Sequence, residues 1–292
     1  MTAITVLDGG MGQELVTRSN APPTPLWATD VMRTEPHLVR EIHADFFAAG
    51  ADIATTNTYA IHRDRLARAG IEDQFEALHA LALAQARAAR DAHGKGLVAG
   101  GIGPLGASYR PDLHPDHIEA VARFSEIAAL HASACDLLIC ETIASLAQAR
   151  SALEGALGHG LPVWLAFTVD DADGTRLRSG EALADGVAAA DGAGAVLVNC
   201  STPEVMPAAL DLLGRAGVPF GAYANGFTEI SKGFLDDAPT VDALTARRDM
   251  GPETYGDHVM GWIEQGATIV GGCCEVGPAH IAAISQRLRG AP

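Results

Sequence analysis

The sequence predicts a single α/β domain over residues 1–292, a (β/α)8 barrel, and two observations carry that prediction. Eight short apolar runs alternate with longer helical patterns, and strands that alternate with helices form a parallel sheet. Polar side chains stand at the carboxyl end of nearly every run, which is the catalytic face of such a barrel. A doubly wound open sheet is the alternative, but it would gather its site at one switch point.

The predicted strands lie at 4–7, 52–56, 97–102, 136–140, 163–169, 195–200, 220–224 and 267–270. The predicted helices lie at 36–49, 74–93, 115–133, 145–157, 181–191, 203–216, 252–265 and 278–288. In the first helix Leu38, Ile42 and Phe46 share one face, and Gly50 follows in the position that commonly ends a helix. The segments 11–35, 59–73 and 227–251 are predicted to be long loops, which are often functional lids.

The chain is acidic, with 20 Lys plus Arg against 36 Asp plus Glu and a net charge of −16. This balance argues against nucleic acid or a membrane surface as a partner, because both require a basic face. No apolar run reaches the length of a membrane span, and the N-terminus lacks the features of a signal peptide. Five cysteines, two of them adjacent, suggest reduced thiols in a cytoplasmic enzyme. Small molecules remain as partners, and the sequence predicts no oligomeric state.

Three cysteines follow two of the predicted strands and form a candidate metal site. Cys200 ends one run, and Cys273 and Cys274 follow another after Gly271 and Gly272. Neighbouring strand residues face opposite sides, so both adjacent thiols reach one metal only if the chain leaves extended geometry. The glycines favour that departure, because they lack a Cβ and tolerate positive φ. Three thiolates would make a zinc site with an open fourth position, but core packing or a redox pair also fits this spacing.

Two acidic residues, Asp8 and Glu141, each end a predicted strand and should face the mouth of the barrel. Two carboxylates there can act as general acid and base. They can equally hold the ammonium of an amino-acid substrate, or accept backbone N–H groups in the turns 9–10 and 142–143. Trp27, in a proline-rich loop, is either an aromatic wall for a cationic ligand or an anchor for the loop.

Other motifs are predicted to have no catalytic role. The glycine pattern 101–106 matches a dinucleotide fingerprint but does not open into a helix, so a tight turn near the site is favoured. The acidic stretch 170–174 lacks the spacing of a calcium loop and is predicted to be solvated. Cys140 should face the helices, and Cys135 lies at the far end of its strand, so both are predicted to be structural. The eleven histidines show no metal spacing.

The chain resembles the homocysteine S-methyltransferase family from Asp8 to its last helix. The resemblance rests on DGGMGQEL at 8–15, PLW at 25–27, GADI at 50–53, TNTY at 56–59, ET at 141–142, NCS at 199–201 and GGCC at 271–274. The cysteine motifs in this order are its specific part. The family also includes betaine–homocysteine methyltransferase and the homocysteine module of cobalamin-dependent methionine synthase.

The resemblance implies a (β/α)8 barrel with a zinc ion as its cofactor. The zinc ligands correspond to Cys200, Cys273 and Cys274. Acidic residues that match Asp8 and Glu141 hold the ammonium group of homocysteine, and Asn199 supports the substrate or the metal. Gly10 and Asn57 are further implied substrate contacts. The implied reaction transfers a methyl group to the sulfur of zinc-bound homocysteine and gives methionine, because zinc deprotonates a coordinated thiol.

The residue after Glu141 bears on the identity of the methyl donor. The betaine-using branch of the family carries an aromatic residue there, whereas this chain has Thr142. Trp27 and Tyr59 remain to face a smaller sulfonium group. The sequence therefore favours S-methylmethionine first and S-adenosylmethionine second. The alternatives are betaine-dependent transfer and a non-catalytic zinc- or thiol-binding barrel.

The chain departs from the family pattern in two places. Residues 275–277 read Glu-Val-Gly after the cysteine pair, where the family often has arginine and then threonines. Residues 223–225 read Tyr-Ala-Asn, where Tyr-Pro-Asn is common. The first difference leaves open a different acceptor, such as selenohomocysteine.

Overall fold

Eight parallel strands form one sheet in a computed structural model that describes residues 3–19, 24, 26, 28–228 and 246–290. The strands are β1 (Thr5–Val6), β2 (Ile53–Thr55), β3 (Leu97–Ile102), β4 (Leu137–Ile143), β5 (Val163–Phe167), β6 (Ala195–Asn199), β7 (Phe220–Tyr223) and β8 (Ile269–Val270). Each strand from β2 to β8 pairs with the next along the chain, and β8 pairs with β1. This order confirms the predicted (β/α)8 barrel.

The barrel closes between its first and second strands through a few individual bonds. Leu7 forms a parallel bridge with Ile53, and the Asp8 amide donates to the Ile53 carbonyl at 3.1 Å. The Asp52 amide donates to the Val6 carbonyl at 2.7 Å, and the Asp52 carboxylate accepts from the Val6 amide at 2.9 Å. Side chains therefore supplement the short ladder at this seam.

Helices surround the sheet and connect its strands. They are α1 (Met11–Arg18), α2 (Ala28–Thr34), α3 (Pro36–Ala49), α4 (Arg63–Arg68), α5 (Phe75–His93), α6 (His117–His131), α7 (Leu146–Ala156), α8 (Leu183–Ala188), α9 (Met206–Leu213), α10 (Pro252–Glu264) and α11 (Pro278–Arg289). A helix lies within each of the eight predicted helical segments. Some observed helices are shorter than the predicted segments because a capping residue ends them earlier. For example, α6 begins after Asp116, whose carboxylate accepts a hydrogen bond from the Glu119 amide at 3.1 Å.

The prediction of long loops was wrong for 11–35 and 59–73, which contain α1, α2 and α4. These helices have only about two turns each, which is too short for a helical repeat of apolar residues to be recognised in the sequence. Packing against the barrel stabilises them instead: Leu15 of α1, Met32 of α2 and Leu66 of α4 are fully buried. Most of the third predicted loop, residues 229–245, lies outside the described residues.

The interior of the barrel is a packed core and not a channel. It consists of Leu7, Ile53, Ala99, Leu137, Ile139, Ala166, Ala195, Leu197, Tyr223 and Ile269. A second apolar layer lies between the sheet and the helices. Within the described ranges, no helix is long and apolar enough to cross a membrane. Because the strands are parallel, the residues that follow them all meet at one rim, where the site lies.

Candidate metal and substrate site

Three cysteine sulfurs meet at the carboxyl end of the barrel. Cys200 follows β6 and is buried, whereas Cys273 and Cys274 follow β8 and are half-buried. All three sulfurs lie within 4.8 Å of one another, and the sulfurs of Cys273 and Cys274 are 4.0 Å apart. Cys200 and Cys273 are joined as a disulfide in this structure. The structure thus brings together the three predicted ligands.

The glycines before the cysteine pair are required for space. A Cβ on Gly271 would lie 2.6 Å from the Cβ of Leu7, and a Cβ on Gly272 would collide with the side chain of Val276. Neither glycine has a positive φ, so it is the lack of a Cβ that the turn uses, and the left-handed residue of this turn is Glu275 at φ 65°. The turn packs against the residues that follow β1 and folds back onto Val276 because these two positions carry no side chain.

The cysteine cluster fits a zinc ion once its thiols are reduced. Zinc lies about 2.3 Å from each sulfur in a tetrahedral site, which places the sulfurs about 3.8 Å apart. The 4.0 Å between Cys273 and Cys274 is close to that spacing. Burial raises the pKa of the Cys274 thiol to about 12, although the Gln13 side chain partly offsets this. A thiolate at this position therefore needs a cation beside it at neutral pH.

Asp8 lies beside the cysteine loop at the end of β1 and is buried. Its carboxylate accepts hydrogen bonds from the Thr55 amide at 2.7 Å and from the Thr55 hydroxyl at 2.9 Å. Burial nevertheless raises the pKa of Asp8 to about 7. His43 on α3 lies 4.0 Å from the Asp8 carboxylate, and burial lowers its pKa to about 3. The histidine is therefore neutral and offers Asp8 no charge.

Glu141 lies within β4 near its carboxyl end and faces the same pocket. Its carboxylate accepts a hydrogen bond from the Tyr223 hydroxyl at 3.3 Å, and Gly101 leaves room for its other oxygen. Burial, followed by the negative charge of Asp8, raises the pKa of Glu141 to about 8. A buried acid that opposes the ionisation of its neighbour forms with it a site that a cationic group would stabilise.

The remaining predicted contacts mostly have partners within the protein. Asn199 is fully buried, and its amide binds Thr142. The Asn57 amide donates to the Ala28 carbonyl at 3.2 Å and so holds α2 at the rim. The Gly10 amide donates to the Val276 carbonyl at 2.9 Å, and a Cβ on Gly10 would lie 2.8 Å from the Cys273 carbonyl. Direct substrate contact by these residues stays a prediction.

An ion pair near Cys200 was missed in the sequence. Asp171 belongs to the stretch predicted to be a solvated loop, but its side chain is only 15% exposed and pairs with Arg178 at 2.9 Å. The Arg178 guanidinium also lies 4.9 Å from the centre of the Tyr109 ring. Asp171 and Arg178 lie on one loop, but Tyr109 and Cys200, which Arg178 also contacts, come from distant parts of the chain, so no local pattern predicts this arrangement. His43 did leave a signal, because it lies on the buried face of the helix predicted at 36–49.

Residues predicted to be structural lie away from the cysteine cluster. The Cys140 sulfur contacts the Ala152 carbonyl of α7 at 3.8 Å, and Cys135 packs behind β3. The glycine pattern 101–106 runs into an irregular turn and a 3-10 segment at Pro111–Leu113 before α6. Trp27 lies outside the described residues. Tyr59 is described, and its hydroxyl bonds to Ser108 at 2.7 Å.

An eight-stranded barrel with three clustered cysteines beside a buried and a half-buried acid matches a known class of methyltransferases. The family model for homocysteine S-methyltransferase matches residues 5–288, and the chain belongs to this family. This confirms the resemblance seen in the motifs.

Individual relatives agree with this assignment. The homocysteine S-methyltransferase of Escherichia coli K12 is 32% identical, covering 97% of this chain and 95% of the relative. A selenocysteine Se-methyltransferase of Brassica oleracea is 25% identical, covering 97% of this chain and 88% of the relative. The crystal structure of the metallated form of the Escherichia coli homocysteine methyltransferase MmuM has a TM-score of 0.81 and 30% identity, covering 97% of this chain and 96% of that chain.

Proposed function

We propose that this chain is a zinc-dependent homocysteine S-methyltransferase of the cytoplasm. It would transfer a methyl group from a sulfonium donor, S-methylmethionine first and S-adenosylmethionine second, to the sulfur of homocysteine, giving methionine. The observation that carries the proposal is the cluster of three cysteine sulfurs within 4.8 Å beside the buried Asp8 and the half-buried Glu141. Membership of the homocysteine S-methyltransferase family supports it.

The metal ligands in this proposal are Cys200, Cys273 and Cys274. A zinc ion bound there would ionise a thiol at its open position and leave that sulfur electron-rich, because three thiolates weaken its Lewis acidity. The protein must therefore bring the homocysteine sulfur and the methyl donor together, with that sulfur, the methyl carbon and the leaving atom of the donor aligned. Such positioning supplies a large part of the rate of a two-substrate reaction.

Asp8 and Glu141 would bind the ammonium group of homocysteine. Their raised pKa values mean that the empty pocket retains protons near neutral pH. A bound ammonium would favour the ionised form of both acids and displace those protons. Thr55 and Tyr223 hold the two carboxylates in place through the hydrogen bonds described above.

Three further residues would shape the homocysteine pocket. Gly10 would let the loop after β1 approach the cysteine turn, Asn57 would hold α2 at the rim, and Asn199 would fix the end of β4. The role of Gly10 is supported by the close approach of its backbone to the Cys273 carbonyl. The roles of the two asparagines are supported by their side-chain hydrogen bonds.

The donor would lie near Tyr59 and Thr142. Tyr59 is half-buried and supplies an aromatic ring, whereas Thr142 is fully buried and supplies none. A sulfonium group is attracted to an aromatic face. The homocysteine sulfur would attack the methyl carbon as the bond from that carbon to the donor sulfur breaks. The electron pair of that bond stays on the donor sulfur, which leaves as a neutral thioether.

Methionine formation tests this function directly. Reduced, zinc-loaded protein is incubated with homocysteine and, separately, with S-methylmethionine, S-adenosylmethionine or betaine, and methionine is measured by mass spectrometry. We expect turnover with a sulfonium donor. A protein that binds zinc and homocysteine but forms no methionine from any of the three donors would be a non-catalytic barrel. Parallel reactions with selenohomocysteine test the acceptor.

A further inference from the structure

The ion pair between Arg178 and Asp171 is joined to the backbone of Cys200 and of Thr202. One Asp171 oxygen accepts from the Arg178 guanidinium at 2.9 Å and from the Thr202 amide at 3.0 Å. The same guanidinium nitrogen donates to the Cys200 carbonyl at 3.4 Å. The segment from Cys200 to Thr202 is therefore held at its first carbonyl and at its last amide.

Thr168 completes this arrangement at the end of β5. Its hydroxyl donates to the Cys200 carbonyl at 3.2 Å and accepts from Nε of Arg178 at 3.2 Å. The Arg178 and Asp171 side chains are only 12% and 15% exposed, so water screens this pair weakly. Arg178 also covers the buried Tyr109 ring.

Cys200 needs such support because its backbone is left-handed, with φ at 47°. A residue with a Cβ rarely adopts this conformation and keeps it only when its surroundings impose it. The conformation also has a purpose. Leu197 faces the barrel interior and Val198 faces the helices, so regular alternation would turn Cys200 toward the helices. The left-handed turn brings its sulfur to Cys273 and Cys274 instead.

We propose that the Arg178–Asp171 pair is a positioning device that holds Cys200 in the geometry of a metal ligand. This inference rests on the proposed zinc site. Without the pair, the segment 200–202 relaxes toward extended backbone and the Cys200 sulfur moves away from the other two. The metal then retains two protein ligands, so its affinity falls although all three cysteines are present.

A neighbouring ion pair on the same loop offers a matched control. Arg176 pairs with Asp173 at 3.4 Å, and their side chains are 60% and 46% exposed. Arg176 also donates to the Gly180 carbonyl, and Asp173 accepts from Thr175, so the bonds of this pair stay within the loop. Changes at this second pair remove the same types of charge without touching the backbone at Cys200.

The experiment measures the zinc dissociation constant by chelator competition in the fully reduced protein. The variants are Arg178→Met, Asp171→Asn, Arg176→Met and Asp173→Asn. We expect the first two to weaken zinc binding by about 10- to 100-fold, the usual effect of losing a residue that orients a metal ligand. The two control variants should bind zinc as the parent protein does. Cobalt(II) in place of zinc should give a weaker thiolate absorption band only in the first two.

The outcomes separate this inference from the proposed function. A parent protein that binds no zinc removes the metal site and the inference with it. A parent that binds zinc, with unchanged affinity in Arg178→Met and Asp171→Asn, overturns the positioning role alone. Equal losses in all four variants also overturn it, because they indicate a general effect on the loop. Arg178→Lys keeps the charge but not the several N–H donors of the guanidinium group. Its zinc affinity should lie between those of the parent and Arg178→Met, and it serves as the test if the methionine variant does not fold.

Discussion

Asn199 and Thr142 join the carboxyl ends of β6 and β4 through two hydrogen bonds. The Asn199 side-chain oxygen accepts from the Thr142 amide at 2.9 Å, and its nitrogen donates to the Thr142 hydroxyl at 3.1 Å. Each partner is next in sequence to a predicted functional residue, Cys200 in one case and Glu141 in the other. Thr142 is left-handed, with φ at 60°, so the contact also fixes a strained turn.

Replacement of Asn199 by Ala should therefore weaken zinc binding and homocysteine binding together. The variant leaves the buried Thr142 amide without its partner, which costs about 1–3 kcal/mol of stability. The control is Gln148→Ala on α7, which removes an equally buried side-chain bond to the Ala144 amide. Urea unfolding and zinc content are measured for both. Comparable destabilisation with loss of zinc only in Asn199→Ala supports the link, and equal zinc content in both variants contradicts it.

The zinc site predicts a sharp division among the five cysteines. Purified protein should hold about one zinc per chain, because the cluster offers three ligands and an open position. Serine at any of the three clustered positions, Cys200, Cys273 or Cys274, should remove both zinc and activity. Cys135→Ser and Cys140→Ser should leave both largely intact, because these side chains pack away from the cluster. Full zinc retention in a Cys273→Ser, Cys274→Ser double variant would refute the site.

The two acids should determine the affinity for homocysteine without affecting the metal. Asp8→Asn and Glu141→Gln each remove a charged partner of the ammonium group, which should weaken binding by about 1–3 kcal/mol. Calorimetric titration of zinc-loaded variants with homocysteine measures this loss, and metal analysis checks that zinc is unchanged. If both amide variants bind homocysteine as tightly as the parent, these acids have another role.

The same acids predict how the stability of the metal-free protein depends on pH. A carboxyl group whose pKa is higher in the folded than in the unfolded chain holds its proton longer when folded, so its contribution falls as pH rises through the folded value. Those values are about 7 for Asp8 and about 8 for Glu141. Buried histidines such as His43 act in the opposite sense, but only below their unfolded pKa of 6.5.

From pH 6.5 to 8, the free energy of unfolding of the metal-free protein should therefore fall. The double variant Asp8→Asn, Glu141→Gln lacks both titrations and should show a flatter curve. Urea unfolding at several pH values across this interval gives the comparison. Parallel curves for the parent and the double variant would show that these carboxyls titrate normally in the folded state.

The donor preference should appear in kcat/KM at fixed homocysteine. We expect S-methylmethionine to exceed S-adenosylmethionine, and both to exceed betaine, because Thr142 provides no aromatic wall for a quaternary ammonium group. Thr142→Tyr is the informative variant, since it adds a ring where the betaine-using branch has one. Betaine as the best donor of the parent protein would reverse this preference and leave the proposed acceptor chemistry in place.

The sequence predicts the barrel and its rim because both depend on short-range rules. Alternation of apolar runs with helical patterns indicates a parallel sheet, and parallel strands deliver Asp8, Glu141 and Cys200 to one face. The same rule brought the three cysteines to one rim, but the left-handed backbone that turns the Cys200 sulfur to the other two did not follow from it. Local patterns were sufficient wherever the position of a residue depended only on its place in a strand.

The sequence could not predict features that depend on packing between distant segments. Positive φ occurs at Cys200, Thr142 and Glu275, which carry side chains, and no sequence pattern marks these positions. The contact between Arg178 and the Cys200 carbonyl joins two different loops. Neither feature leaves a local pattern, because the energy that fixes it comes from residues far away in the chain.

The Thr55 amide donates to the Asp8 carboxylate and also belongs to the sheet at the seam of the barrel. The same Asp8 oxygen therefore belongs to the proposed substrate pocket and takes the place of a backbone carbonyl as acceptor for a strand amide. A change in the charge of that oxygen therefore changes the environment of the Thr55 amide proton directly. The NMR resonance of the Thr55 amide should therefore shift when the ammonium group of homocysteine binds to Asp8, and neither substrate needs a label for this measurement.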